Sequence, residues 1–312
     1  ELRLLASKRS AGKEIAFMGK TYTVEEATFD SFKGIDIALF AGGSISKDFA
    51  PHAVKAGAVV IDNSSAFRMD PEVPLVVPEV NPQAILKHKG IIANPNCSTI
   101  IMVMALKPIY DLAKIKRVIV STYQAVSGAG KEGIDELDAQ VREHSEGREM
   151  TANILPSASA EKHYPIAFNL IPQIDVFCDN LYTKEEMKMV NETKKIMEDY
   201  EMRITATTIR VPVYRSHSES VNIELEKEVD LGAMREALAK FPGVTVQDDP
   251  SKQEYPMPLY TSEKVDVYVG RLRRDESCEK SYNMWVVGDQ IRKGAALNTL
   301  QIAETMIKNG WI

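Results

Sequence analysis

The 312 residues are 44% hydrophobic and 26% charged, with a net charge of −6. That length exceeds what one compact core usually takes, so two domains are expected, and an acidic chain with no long basic run argues against nucleic acid as its main partner. No apolar stretch reaches the roughly 18 residues that span a bilayer. The three cysteines (97, 178 and 278) have no CxxC pairing, which suits a reducing cytoplasm and leaves no structural zinc site or other metal centre.

Leu2 to Ser7 reads as a short apolar strand already inside a domain, with no signal peptide, so a segment is expected ahead of Glu1. In a doubly wound nucleotide fold this would be the second strand, whose end meets the cofactor ribose. Here it ends in Ser7-Lys8-Arg9-Ser10 with Gly12. Two cations and two hydroxyls suit a 2′-phosphate and hence NADP rather than NAD; the plain alternative is a solvated basic turn. No GxGxxG fingerprint is present, and the first strand, Gly-rich turn and first helix of such a unit take roughly 30 residues.

Ile35 to Phe40 is the next strand, followed by a helix carrying Phe49, Val54 and Ala56 and closed by Gly57. Ala58 to Ile61 ends at Asp62-Asn63-Ser64-Ser65, and Arg68 lies just beyond, where ligands bind in open α/β sheets. Leu75 to Pro78 and Ile91 to Ala93 read as further short strands. Strands separated by helices of this length predict a parallel, doubly wound sheet.

Asn94-Pro95-Asn96-Cys97-Ser98-Thr99 then precedes the apolar run Ile100 to Leu106, which Lys107 and Pro108 interrupt. The pattern predicts a buried helix with Cys97 in its first turn, where free N–H groups and the positive dipole end favour thiolate and can hold an oxyanion. A buried structural cysteine is the bland alternative. Val118 to Ala125 is a long strand carrying Gln124 into Ser127-Gly128-Ala129-Gly130, a turn whose backbone can approach a phosphate or carboxamide.

Lys131 to Ser145 reads as a polar helix, and residues 150 to 200 as mostly helical with turns at Pro156, Pro165 and Pro172. Glu185 and Lys188 share a helical face and read equally as a surface pair. Strands at Arg203 to Val211, Ser220 to Leu225, Val265 to Leu272 and Tyr282 to Val287, with a helix at Leu231 to Lys240, predict a mixed or antiparallel sheet. Arg210 can hold a carboxylate and His217 can move a proton, though a loop histidine between serines is often merely solvated. His52, His88, His144 and His163 read as surface residues. A final helix, Ala295 to Asn309, is apolar on one face. The fold class is therefore α/β, a Rossmann-like sheet plus an α+β domain.

Five ordered strings resemble aspartate-semialdehyde dehydrogenase of the bacterial type across essentially the whole chain. They are Ile61 to Arg68, Asn94 to Thr99, Gln124 to Gly130, Ile171 to Asp175, and Arg210 to Val213 with His217 to Ser220. The resemblance implies reduction of L-aspartyl 4-phosphate with NADPH to the semialdehyde, on the route to lysine, threonine and methionine, by a cytoplasmic homodimer. It makes Cys97 the nucleophile, Gln124 a substrate-orienting residue and His217 the acid/base group. Arg210 would grip the α-carboxylate, Arg68 with Asn96 the phosphate, and Glu185 with Lys188 the amine and phosphate, with Glu186 able to align in place of Glu185. Ser7, Arg9, Ser10, Ser127, Gly128 and Asn298 would contact the cofactor. Domains of 1–97 plus 295–312 and of 98–294 follow. The family's Gly-rich loop has no counterpart in the 312 residues. Three alternatives compete: N-acetyl-γ-glutamyl-phosphate reductase, which usually has Gly-Cys where Asn96-Cys97 stands; a non-catalytic paralogue, which would lack the nucleophile; and a cysteine hydrolase, which leaves the first domain without a role.

Overall fold

The computed structural model describes residues 1–312. It opens with β1 (Leu4–Ala6), β2 (Glu14–Phe17) and β3 (Lys20–Glu26); β3 runs parallel to β1 and antiparallel to β2. The β2–β3 hairpin, turning at Met18-Gly19, has no counterpart in the sequence reading, because its strands are exposed and lack an apolar period. β4 (Ile37–Phe40), α1 (Ser46–Lys55), β5 (Val59–Asp62) and β6 (Ile91–Ala93) follow, the three strands parallel in the order β4-β5-β6. Leu75 to Pro78 is not a strand. Pro74 and Pro78 deny it ladder donors, and one parallel bridge from Leu75 to Ala93 is all it makes.

α2 (Cys97–Leu112) passes through Pro108 without ending there, and eleven of its sixteen residues are buried. β7 (Ile115–Gln124), α3 (Lys131–Ser145), α4 (Lys184–Met197), β8 (Arg203–Arg210), β9 (His217–Leu225), α5 (Leu231–Lys240), β10 (Val244–Val246), α6 (Pro258–Thr261), β11 (Val267–Arg274), β12 (Ser281–Gly288) and α7 (Leu297–Asn309) complete the chain. The strands β7 to β12 form one mixed sheet, ordered β10-β11-β12-β9-β7-β8. α2, α4 and α5 cover one face of it, and a cluster of 33 buried residues fills the space between. α7 packs Ile302, Ala303 and Met306 against Ile61, Ile85 and Ile92 of the first half.

The expectation of helix across 150 to 200 fails before residue 184. Two buried side chains of α3 hold that stretch in an irregular path. Glu136 Oε2 accepts from the N–H groups of Asn153 (2.6 Å) and Ile154 (2.9 Å), and Gln140 Oε1 accepts from Ile166 (2.8 Å) and Ala167 (3.0 Å). Backbone donors that lack a ladder must be satisfied some other way, and here α3 supplies it.

Candidate active site

Cys97 is the first residue of α2, and Asn96 is its N-cap, with Oδ1 accepting from Thr99 N at 3.1 Å. β6 ends three residues before Asn96 and delivers this turn to the seam between the two sheets. Gly294 closes over the cysteine: a Cβ there would lie 3.0 Å from Cys97 Cβ, so any larger residue would press the segment before α7 away from the turn.

Opposite stands His217, which is not a solvated loop residue but the fully buried first residue of β9. Ser216 before it takes a left-handed φ of 71° and its N–H is held by Gln290 Oε1 at 2.9 Å, which turns the ring inward. Nδ1 accepts from Ala125 N–H at 3.0 Å. The neutral ring therefore carries its proton on Nε2, 3.5 Å from Cys97 Sγ and 3.5 Å from Gln124 Nε2. Burial, with the Arg210 charge behind it, holds the His217 pKa well below its ordinary value.

Cys97 retains some exposed surface, yet its sulfur is surrounded by protein. Burial, then the Glu185 carboxylate, pushes its thiol up to about 12, while Arg68 and Arg210 pull it down. The expected low-pKa thiolate is thus corrected: desolvation and a neighbouring anion outweigh the helix terminus. The resting pair is thiol and neutral imidazole.

Around this pair Glu185 is the hub. It is buried, and its Oε1 accepts from Asn96 Nδ2 (2.9 Å) and Gln124 Nε2 (3.2 Å), its Oε2 from Lys188 Nζ (3.1 Å). Burial opposes its charge, but Lys188 and these donors prevail and its pKa lies below the usual carboxylate value. Lys188 also reaches Asp175 Oδ2 at 2.9 Å, so Glu185 and Lys188 are no surface pair. Glu186 faces elsewhere: it completes the capping box with Thr183 and accepts from Thr208 N at 3.0 Å.

Arg210, buried at the end of β8, donates from Nη1 to Ala125 O at 2.7 Å, and its Nε has no partner. Arg68 donates to Asn63 O (3.0 Å) and to Glu192 Oε1 (3.3 Å), with its own buried Nε free. Two guanidinium groups with unspent donors thus act on one sulfur. Gly128 lies against both Arg210 and His217; a Cβ there would meet Arg210 Nη1 at 2.7 Å and His217 Cε1 at 3.3 Å. The missing side chain is what lets this turn pack directly against Arg210 and His217.

The other residues expected at a cofactor divide. Ser7, Arg9 and Ser10 form an open turn after β1, closed by Ser10 N–H donating to Ser7 O at 2.8 Å. Ser127 is buried, with Gln290 Nε2 donating to its Oγ. Asn298 is fully buried and spends both amide hydrogens inside the protein, on Val76 O (2.9 Å) and Asn94 Oδ1 (2.7 Å), while its oxygen accepts from Lys293. It braces the Asn94 turn and has no donor left for a ligand. Sequence reading missed Glu192, Lys195, Gln290 and Lys293. Glu192 had a signal, its seven-residue spacing from Glu185 on one helix face.

A family model described as "Semialdehyde dehydrogenase, NAD binding domain" matches residues 1–88, and one described as "Semialdehyde dehydrogenase, dimerisation domain" matches 106–293. Fold and site thus define a two-domain semialdehyde dehydrogenase. Aspartate-semialdehyde dehydrogenase of Aquifex aeolicus is 57% identical, over 100% of this chain and 91% of its own length; that of Bacillus subtilis is 54% identical, over 98% and 89%. The crystal structure of aspartate semialdehyde dehydrogenase II from Vibrio cholerae complexed with ASA superposes with a TM-score of 0.93 at 46% identity, covering 99% of this chain and 90% of that one. The chain belongs to the aspartate-semialdehyde dehydrogenase family.

Proposed function

We propose that this protein reduces L-aspartyl 4-phosphate to L-aspartate 4-semialdehyde through a thioester on Cys97, with NADPH as reductant. The observation that carries the reading is Cys97 Sγ at 3.5 Å from His217 Nε2, with the charges of Arg68 and Arg210 acting on the same sulfur. A substrate with an anion at each end matches two cationic grips: Arg210 for the α-carboxylate, Arg68 with Asn96 for the phosphate. Glu185 and Lys188 set the amine end, and Gln124 orients the carbonyl.

The sulfur forms a bond to the acyl carbon, the C–O bond to phosphate breaks, and the thiol proton leaves with the phosphate. Gly128 and Ser127 would hold the nicotinamide, and Ser7, Arg9 and Ser10 the ribose phosphate; a cofactor so held would supply the hydride that the thioester takes up. His217 Nε2–H and Gln124 Nε2–H then hold the hemithioacetal oxyanion, which collapses to the aldehyde and the Cys97 thiolate; a proton from solvent restores the resting thiol. His217 acts in this scheme as a hydrogen-bond donor, because Ala125 N–H occupies Nδ1. The division into residues 1–97 with 295–312 and residues 98–294, and a homodimer built on the second part in a reducing cytoplasm, belong to the same reading.

The test is cofactor reduction at 340 nm from aspartate semialdehyde plus inorganic phosphate, with NADP and with NAD. NADP should be preferred, Arg9→Glu should erase that preference, and Cys97→Ala should abolish turnover. Turnover surviving Cys97→Ala would sink the thioester. Activity confined to N-acetylglutamate semialdehyde would assign the other reductase.

A further inference from the structure

α4 does more than present Glu185 and Lys188. Glu192, two turns further along the same face, is buried, and its two oxygens go to different parts of the site. Oε2 accepts from the backbone N–H of Asn96 at 2.6 Å, and Oε1 accepts from Arg68 Nη1 at 3.3 Å. Asn96 is therefore held twice by one helix, its side chain by Glu185 and its backbone by Glu192. Three residues on, Lys195 Nζ fastens the loop after Arg68 through the carbonyls of Arg68 (2.8 Å), Asp70 (2.6 Å) and Val73 (2.8 Å).

A carboxylate is expensive to bury unless it is fully engaged. Here it spans two segments 28 residues apart in sequence, Arg68 and Asn96, that share no other common partner on α4. We infer that Glu192 is a positioning residue that fixes the Arg68 guanidinium relative to the turn carrying Cys97, an inference that rests on the reading of Arg68 as the phosphate grip. Arg68 keeps Nε and one hydrogen on each Nη free, and Glu192 with Asn63 O sets where that free edge points. Burial raises the Glu192 pKa, and the Arg68 guanidinium and the Asn96 N–H only partly offset that rise.

The two hydrogen bonds can be separated. Glu192→Gln keeps an acceptor for Asn96 N–H and removes the charge beside Arg68. In the full-length protein, with aspartate semialdehyde, NADP and inorganic phosphate, KM for phosphate should rise about tenfold, the size of one lost charge-assisted hydrogen bond. Its kcat should stay within about threefold of the parent. Glu192→Asp should give the mirror image: the charge near Arg68 survives and phosphate KM stays within about threefold, but the shortened side chain leaves Asn96 N–H and kcat falls about tenfold. In an Arg68→Ala background, Glu192→Gln should add nothing further to phosphate KM. A role confined to stability would lower Tm without this split. Phosphate KM unchanged in Glu192→Gln, while Arg68→Ala raises it, overturns the inference and leaves the phosphate grip standing. Phosphate KM unchanged in Arg68→Ala removes the grip itself. Should Glu192→Gln not accumulate, Glu192→Asp decides alone: kcat and phosphate KM impaired alike overturns the inference.

Discussion

A thiol pushed up to about 12 is almost wholly protonated at pH 7, so the resting sulfur of Cys97 is a weak nucleophile. The sign follows from its surroundings. Burial and the Glu185 carboxylate disfavour thiolate, so the ionised fraction grows only as pH rises toward that value. Alkylation of Cys97 by iodoacetamide should accelerate about tenfold per pH unit between pH 7 and 10 without levelling. A plateau below pH 8 would show a thiolate at rest. Glu185→Gln removes the second largest cause of the shift and should speed alkylation at a fixed pH of 8, even as it loosens Asn96 and Gln124. Residue identity was legible here where chemistry is local: Asn96-Cys97 at a helix start, Arg210 at a strand end. The direction of the Cys97 shift was not, because Glu185 lies 88 residues away in sequence and nothing in the Cys97 string reports it. The burial of His217 was hidden for the same reason, its two serine neighbours reading as surface.

At the scale of elements, the turn before α2 is held by side chains rather than by its own ladder. Asn96 caps the helix through Thr99 N and donates to Glu185. Asn96→Ala should cost about 1 kcal/mol for the cap and more for a buried Glu185 oxygen deprived of a donor, visible as a lower urea midpoint. Asn96→Asp restores the cap acceptor but sets a second anion against Glu185, and should be no more stable than the alanine variant; recovery to parental stability would show that the cap alone matters. α3 and α5 stand at the bounds read from the sequence, since helical pattern is a local property. The stretch from 148 to 182 does not, because Glu136 and Gln140 hold its path from another element. Charged, proline-punctuated sequence carries no mark of a buried clamp elsewhere.

For the whole molecule, the six-stranded sheet is the surface that bears on assembly. α2, α4 and α5 cover one face, and the alternation along each strand puts the other residues on the opposite face: Ile119, Ser121 and Tyr123 on β7, Ile209 on β8, Asn222 on β9 and Trp285 on β12, all half-buried. Tyr123 and Trp285 lie 5.4 Å apart between ring centroids, and Trp285 Nε1 donates to Pro256 O at 3.1 Å, so the aromatic pair is already ordered in one chain. A sheet of this breadth is stable when both faces are covered, and a second copy meeting it face to face would supply the cover by two-fold symmetry. Light scattering should therefore give twice the chain mass. Ile119 sits midway along β7, one strand in from the β8 edge, paired with Thr205 and Asn222 on its two neighbouring strands. Ile119→Arg should place a charge in the interface core and yield a monomer with unchanged far-UV circular dichroism. Because β7 and β8 also carry Gln124 and Arg210 at their ends, that monomer should turn over more slowly while still alkylating at Cys97. A dimer that survives Ile119→Arg would move the interface to another surface and detach oligomeric state from the geometry of the site.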